Sequence, residues 1–265
     1  MAQADPDIAA LFAPLRPAQA SNVVLREARE VLAHLHKPID AELWGSDIIG
    51  ALSGGGAHGA HGAVGAVGAD GADGADGADV PDIMAELTVS LVPAAEESAT
   101  PEALALLRIL AAIGSPALTA AAAEAAERVT ASGVTDPDWA AVIGSPTVGK
   151  CWHYGDVGGR QESITVSFGY GDAEHALSVL IDHGRGGKIK DAWVDDAEGL
   201  LDKTWMAAEN DPLVVFEAIE AADARTRLER AVAAGGCPVK PDEVDDLTAH
   251  RALLRARVRY LATAA

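Results

Sequence analysis

Residues 151–194 read CWHYGDVGGRQESITVSFGYGDAEHALSVLIDHGRGGKIKDAWV, and the pattern of this stretch decides the fold. Ile164, Val166, Phe168 and Tyr170 alternate with Thr165, Ser167 and Gly169, the period-2 signature of a half-buried strand. Gly171-Asp172 turns the chain, and His175, Leu177, Val179 and Ile181 carry the alternation into a second strand. The glycine-rich run at 184–187 turns it again, and Lys188 to Val194 makes a third. Cys151 to Val157, followed by Gly158-Gly159, supplies an earlier strand. Strands joined by turns this short form an antiparallel meander, here of three or four members between about residues 150 and 195.

Helical patterns flank the meander on both sides. Ser21 to Leu35 places Val24, Ala28, Val31, Leu32 and Leu35 at helical spacing, and Pro38 ends that helix. Asp40 then caps a short helix carrying Leu43, Trp44 and Ile48, so residues 1–50 are expected to hold a helical hairpin too small to fold alone, packed on the main domain. From Gly56 to Gly77 glycine recurs at every third position in Gly-Ala-X triplets without proline, which predicts a flexible insert over 51–80 rather than a collagen helix. Residues 81–265 are expected to form one α+β domain. Its helices fall at Asp82–Val92, from Pro101, and at Leu118–Ser132. Others follow from Ala197, from Asp211-Pro212 to Ala234, and at the C-terminus. Grouped strands with helices before and after give a mainly helical α+β fold.

Composition narrows the partners. Half of the 265 residues are apolar, but 56 of them are alanine, while eight of the eleven aromatics lie between residues 139 and 216. The core is therefore expected around the meander. Forty acidic residues against twenty Lys and Arg give a formal charge of −20, which repels phosphate backbones and anionic headgroups. Nucleic acid and membrane are thus not expected as partners. No apolar run reaches a membrane span, and Asp5 and Asp7 stand where a secretory signal carries basic residues, which points to a soluble, cytoplasmic chain. Cys151 and Cys237 are too few for a disulfide framework.

Most motif matches fail on context. Gly144 to Lys150, GSPTVGK, fits the phosphate-loop spacing, but Cys151 occupies the hydroxyl position, Pro146 sits within the loop, and strand rather than helix follows. No cofactor-binding motif is present. Arg251, Arg255, Arg257 and Arg259 form a basic patch on the last helix and are expected to pair with acidic surface of this chain or another subunit.

The densest set of reactive side chains surrounds the 184–187 turn: Asp182, His183 and Asp191 are the candidate catalytic residues. His175 lies on the same strand face as His183, but about 26 Å of extended chain separates them, so they cannot share an ion. With a four-residue loop, Asp182 and Asp191 are diagonal neighbours that could flank a divalent cation or act as acid and base. A one-residue slip instead brings Ile189 and Trp193 onto the apolar face and offers Asp191 to His183, and this register makes the better hydrophobic surface. Cys151 and His153, two apart on one strand face, are further candidate metal ligands beside Asp182 and Asp191. The bland alternative is that Asp and Gly here serve only the turn. The leading expectation is a non-enzymatic interaction or regulatory module with a protein partner or a second copy of itself. The alternative is a hydrolase using the Asp182–His183–Asp191 cluster, with or without a metal.

Overall fold

A computed structural model describes residues 17–59, 84–209, 211–236 and 246–264. Contacts divide the chain into two units, with the boundary between Gly144 and Ser145. Residues 81–144, expected to belong with the meander, group instead with the N-terminal helices.

The helical unit holds α1 (Pro17–Val31), a 3-10 turn (Leu32–His34) and α2 (Pro38–Gly59). A π-helical turn (Leu87–Leu91) leads into α3 (Val92–Ser98), followed by α4 (Pro101–Ile113) and α5 (Pro116–Ala131). Apolar nearly all round, α4 buries Leu104, Leu106, Leu107, Ile109, Leu110 and Ile113, and α1, α2, α3 and α5 pack around it. Its start is fixed by Pro101 in the first turn and by the Thr100 hydroxyl, which accepts from the Ala103 amide at 3.2 Å. Ser115 caps α5 in the same way, accepting from Leu118. Helix α2 runs on to Gly59, so the first residues of the expected insert are helical, and residues 60–80 of it lie outside the described residues.

The second unit is built on a five-stranded antiparallel sheet of order β4-β3-β2-β1-β5: β1 (Thr147–Asp156), β2 (Gln161–Tyr170), β3 (Ala173–Asp182), β4 (Lys188–Asp196) and β5 (Val214–Ile219). Helix α6 (Ala197–Glu209) follows β4, while α7 (Ala221–Ala234) and α8 (Asp246–Ala264) follow β5. One sheet face carries Cys151, Ile164, Val166, Phe168, Leu177, Val179 and Ile181, and packs against Ala224, Leu228 and Ala231 of α7 and Leu247, Leu254, Val258 and Leu261 of α8. On the opposite face α6 sets Ala197 and Leu200 against Ala176 and Trp193. With eight α-helices and this one sheet among the described residues, the α+β class expected from the sequence is observed. No helix among them is long and apolar enough to cross a membrane.

The helix expected from Asp211-Pro212 to Ala234 is wrong over its first third. Asp211 opens a turn, its carboxylate accepting from the Leu213 amide at 2.9 Å and its carbonyl from that of Val214 at 3.1 Å, and the chain leaves as β5. Val214, Val215, Phe216 and Ile219 suit a strand, and the open edge of β1 supplies the ladder from Cys151↔Ile219 to Asp156↔Val214. The helix begins only at Ala221.

Register between β3 and β4 combines both expected alternatives. Ile189 faces Ile181, as the slip requires, but Lys190 is an extra residue, so Asp191 pairs with Leu180 and Trp193 with Ser178. Trp193 therefore leaves the helix-covered core for the α6 side, the reverse of the expected placement.

Arg257 of α8 lies 1% exposed in the core. Its guanidinium stands 5.2 Å over the Phe168 ring and 5.7 Å over Tyr170, and it donates at 3.4 Å to Tyr170 Oη and to His175 Nε2. Burial, reinforced by the Arg257 charge, pushes the His175 pKa down to about 3. His175 is thus neutral in the fold and protonates near 6.5 once unfolded, so its contribution is complete above that pH and is lost as pH falls towards about 3. Urea unfolding between pH 6.5 and 5 should show His175→Gln losing less stability on acidification than the wild-type chain. The difference approaches about 1.4 kcal/mol per pH unit, and parallel profiles would refute it.

Candidate functional site

Along β2 the residues that face α7 and α8 are Glu162, Ile164, Val166 and Phe168, so a carboxylate occupies the last position of an otherwise apolar row. Glu162 is 8% exposed and needs donors in place of the water it has lost. Two separate elements supply them, and a third brings an imidazole into contact. Arg227 Nη1 from α7 donates to Oε2 at 2.6 Å, His183 Nε2 from the β3–β4 turn lies 3.0 Å from Oε1, and His153 Nε2 from β1 lies 3.3 Å from Oε2. An ionised carboxylate only accepts, so His183 donates its Nε2–H to Glu162, whereas the His153 Nε2 contact is close without being a hydrogen bond.

Outward from this centre the charges continue. Arg227 also reaches Asp223 Oδ2 from Nε at 3.1 Å and from Nη2 at 3.0 Å. Asp223, then Glu162, hold its pKa above the ordinary guanidinium value. His153 Nδ1 stands 3.5 Å from Glu217 Oε1 on β5 without a hydrogen bond. These groups open into a cleft of about 710 Å3 between the end of the sheet and α7. Ile181, Ala231 and Ala234 form its apolar side, and Gly186 and Gly187 its turn wall. Both glycines have positive φ, 79° and 75°, so only glycine passes this turn without strain.

The residues expected from the sequence are dispersed around this centre. His153 and His183 both belong to it. Asp182 is directed to the other side of the sheet end, where Gln161 Nε2 donates to its Oδ2 at 3.4 Å and Arg185 Nε lies 3.8 Å away. There it lines a second cleft of about 810 Å3 with Arg160, Arg185 and Leu213. Asp191 shares the Asp182 sheet face but accepts from the Ala192 amide at 2.8 Å, as expected of a residue set by the bulge. The acid beside His183 is Glu162, not Asp191. Cys151 is buried in the core, and burial, with the Glu220 charge adding, raises its thiol pKa, which disfavours the thiolate that a nucleophile or metal ligand requires. Among the described residues no three His, Cys, Asp or Glu side chains are arranged to hold a metal ion, and the two imidazoles turn onto the carboxylate rather than towards a shared centre. The phosphate-loop look-alike enters β1 at Thr147, and no helix follows it.

Glu162 and Arg227 were absent from the sequence expectations. A signal for Glu162 was present: an acid in register with Ile164, Val166 and Phe168 on a face that otherwise demands apolar residues. Comparison of the chain with protein-family models, with curated proteins and with solved structures finds no match.

Removing Arg227 strands a nearly buried carboxylate, so Arg227→Ala should cost about 1–3 kcal/mol in urea unfolding. Glu162→Gln in the same background should recover part of that loss. Additive effects in this double-mutant cycle would show that the pair does not interact.

Proposed function

We propose that the chain is a cytoplasmic interaction or regulatory protein, and that its C-terminal unit binds a small polar ligand in the cleft beside Glu162. One observation carries this reading: Glu162 is engaged by Arg227 and His183 with His153 beside them, while Asp182 and Asp191 face away from His183. The Asp182–His183–Asp191 constellation that a hydrolase would need therefore does not converge. The cleft is large enough for a small molecule, has one apolar side, and draws polar groups from three elements, as ligand sites commonly do. A protein partner or second copy of the chain would be the recipient of the signal that such binding generates.

A second reading has its own support. A carboxylate that fixes one imidazole nitrogen while the other faces a cleft is the arrangement of a general base, so Glu162 and His183 could activate water in a hydrolase. His183 has 44% of its side chain exposed, consistent with access from the cleft.

Native mass spectrometry of the gently purified full chain tests the first reading. The expected result is a small-molecule mass excess, lost on denaturation and absent from Thr226→Trp, which places a bulky side chain over the cleft without touching the Glu162 cluster. A clean apo mass in both proteins would overturn it. p-Nitrophenyl acetate turnover that vanishes in His183→Ala would favour the hydrolase instead.

A further inference from the structure

We infer that the ligand of this cleft is a small aliphatic anion, its charged group bound by Arg230 and its short apolar part lying on Ile181, Ala231 and Ala234. The inference rests on the binding reading above and adds the chemical class.

An inventory of the charges that line the cleft leads to it. Each acid there is already engaged. Glu162 takes Arg227 and the two imidazoles, and Asp223 takes Arg227. Asp156 accepts from the backbone amides of Gln161 at 2.8 Å and Arg160 at 3.1 Å, which hold its pKa below the ordinary carboxylate value. Of the cations, Arg227 is engaged twice. Arg230, one helical turn further along α7, lines the same cleft, is exposed, and meets no acid among the described residues. Among the described residues, Arg230 is the guanidinium that faces the cleft without an anion, and it is therefore placed where a ligand would sit. In a chain of formal charge −20 such a group stands out, because carboxylates outnumber cations two to one.

Geometry adds the rest. Thr226 and Arg230 are four residues apart on α7 and so lie on one helix face, but the Thr226 hydroxyl donates to the Ala222 carbonyl at 2.8 Å, which leaves Arg230 as the donor this face offers an anion. Opposite them the His183 ring stands at the glycine turn, with its Nδ1 3.9 Å from where a Cβ of Gly187 would lie. Its second nitrogen can thus meet a polar group of the ligand. The apolar side consists of Ile181 and two alanines, with no Phe, Tyr or Trp in the lining, so its apolar surface suits a short alkyl group. A short alkyl carboxylate or alkyl phosphate fits this lining, and both present the same chemistry to Arg230.

Butyrate and its uncharged isostere butyramide separate charge from shape. Each is titrated into the full chain at constant ionic strength with calorimetry and with 15N spectra of the histidine rings. Butyrate should bind at least about tenfold more tightly than butyramide and shift the His183 ring nitrogens. Arg230→Gln should abolish that preference, whereas Arg230→Lys should keep part of it. Arg230 is exposed, and a far-UV spectrum checks that both variants fold. Equal affinity for the two probes, or an unchanged preference in Arg230→Gln, would overturn the anion assignment. If neither probe binds while native mass spectrometry still retains a small molecule, the assignment fails and the binding reading survives. If neither binds and the mass is clean, both fail.

Discussion

The end of the sheet depends on one electrostatic constraint, the burial of Glu162 on a face otherwise made of Ile164, Val166 and Phe168. A carboxylate removed from water must recover its hydrogen bonds, and its nearest neighbours along that face of β2, Ile164 and Val166, carry no donor. The donors come from the β3–β4 turn and from α7, and His153 of β1 closes on the same carboxylate, so the contacts join elements far apart in sequence. Satisfying one acid therefore ties three separate segments to a common point. The cluster is closed on the sheet side and open on the α7 side, and the cleft occupies that opening.

A second buried charge in the same unit is handled differently. Arg257 is covered by the Phe168 and Tyr170 rings and donates to His175, so ring faces and a neutral imidazole surround it at these contacts. The two arrangements lie towards opposite ends of β2, at Glu162 and at Phe168–Tyr170. At the first, charges meet charges and face a cavity; at the second, rings pack around a cation within the core. Only the first offers polar groups to a solute, which is why it and not the Arg257 stack is the functional candidate.

Much of this architecture was legible in the sequence. Period-2 alternation located β2 and β3, and Gly171-Asp172 and the 184–187 run located their turns, because a half-buried sheet repeats its pattern with each strand. Strand β5 was not legible. Asp211-Pro212 is as good a helix start as any in the chain, and what overrode it was the vacant edge of β1, a partner that local sequence does not display. The bulge at Lys190 was equally hidden, and it alone decides that Asp191 and Trp193 face away from the α7 side. Of the site, His153 and His183 were found as reactive side chains. Their shared partner was missed because polar residues were sought in sequence clusters, whereas Glu162 is conspicuous only against the apolar row to which it belongs.

Why the cleft lies at this end follows from topology. The β1–β2 and β3–β4 connections both fall at the end of the sheet marked by Asp156 and Asp182, and β5, antiparallel to β1, begins there at Val214. The chain then leaves β5 at the far end, and α7 returns across the helix-covered face towards the turns. Its early residues, Ala224 and Leu228, are buried against the sheet, while Asp223, Thr226, Arg227 and Arg230 flank the cleft. Small side chains at Ala231 and Ala234, and two glycines in the facing turn, keep the space between helix and sheet from closing. Bulkier residues at Ala231 or Ala234 would fill the space, whereas the two glycines are fixed by their positive φ. The cleft thus follows from where α7 crosses the end of the sheet, from the small residues it brings there, and from the buried acid whose donors converge at that point.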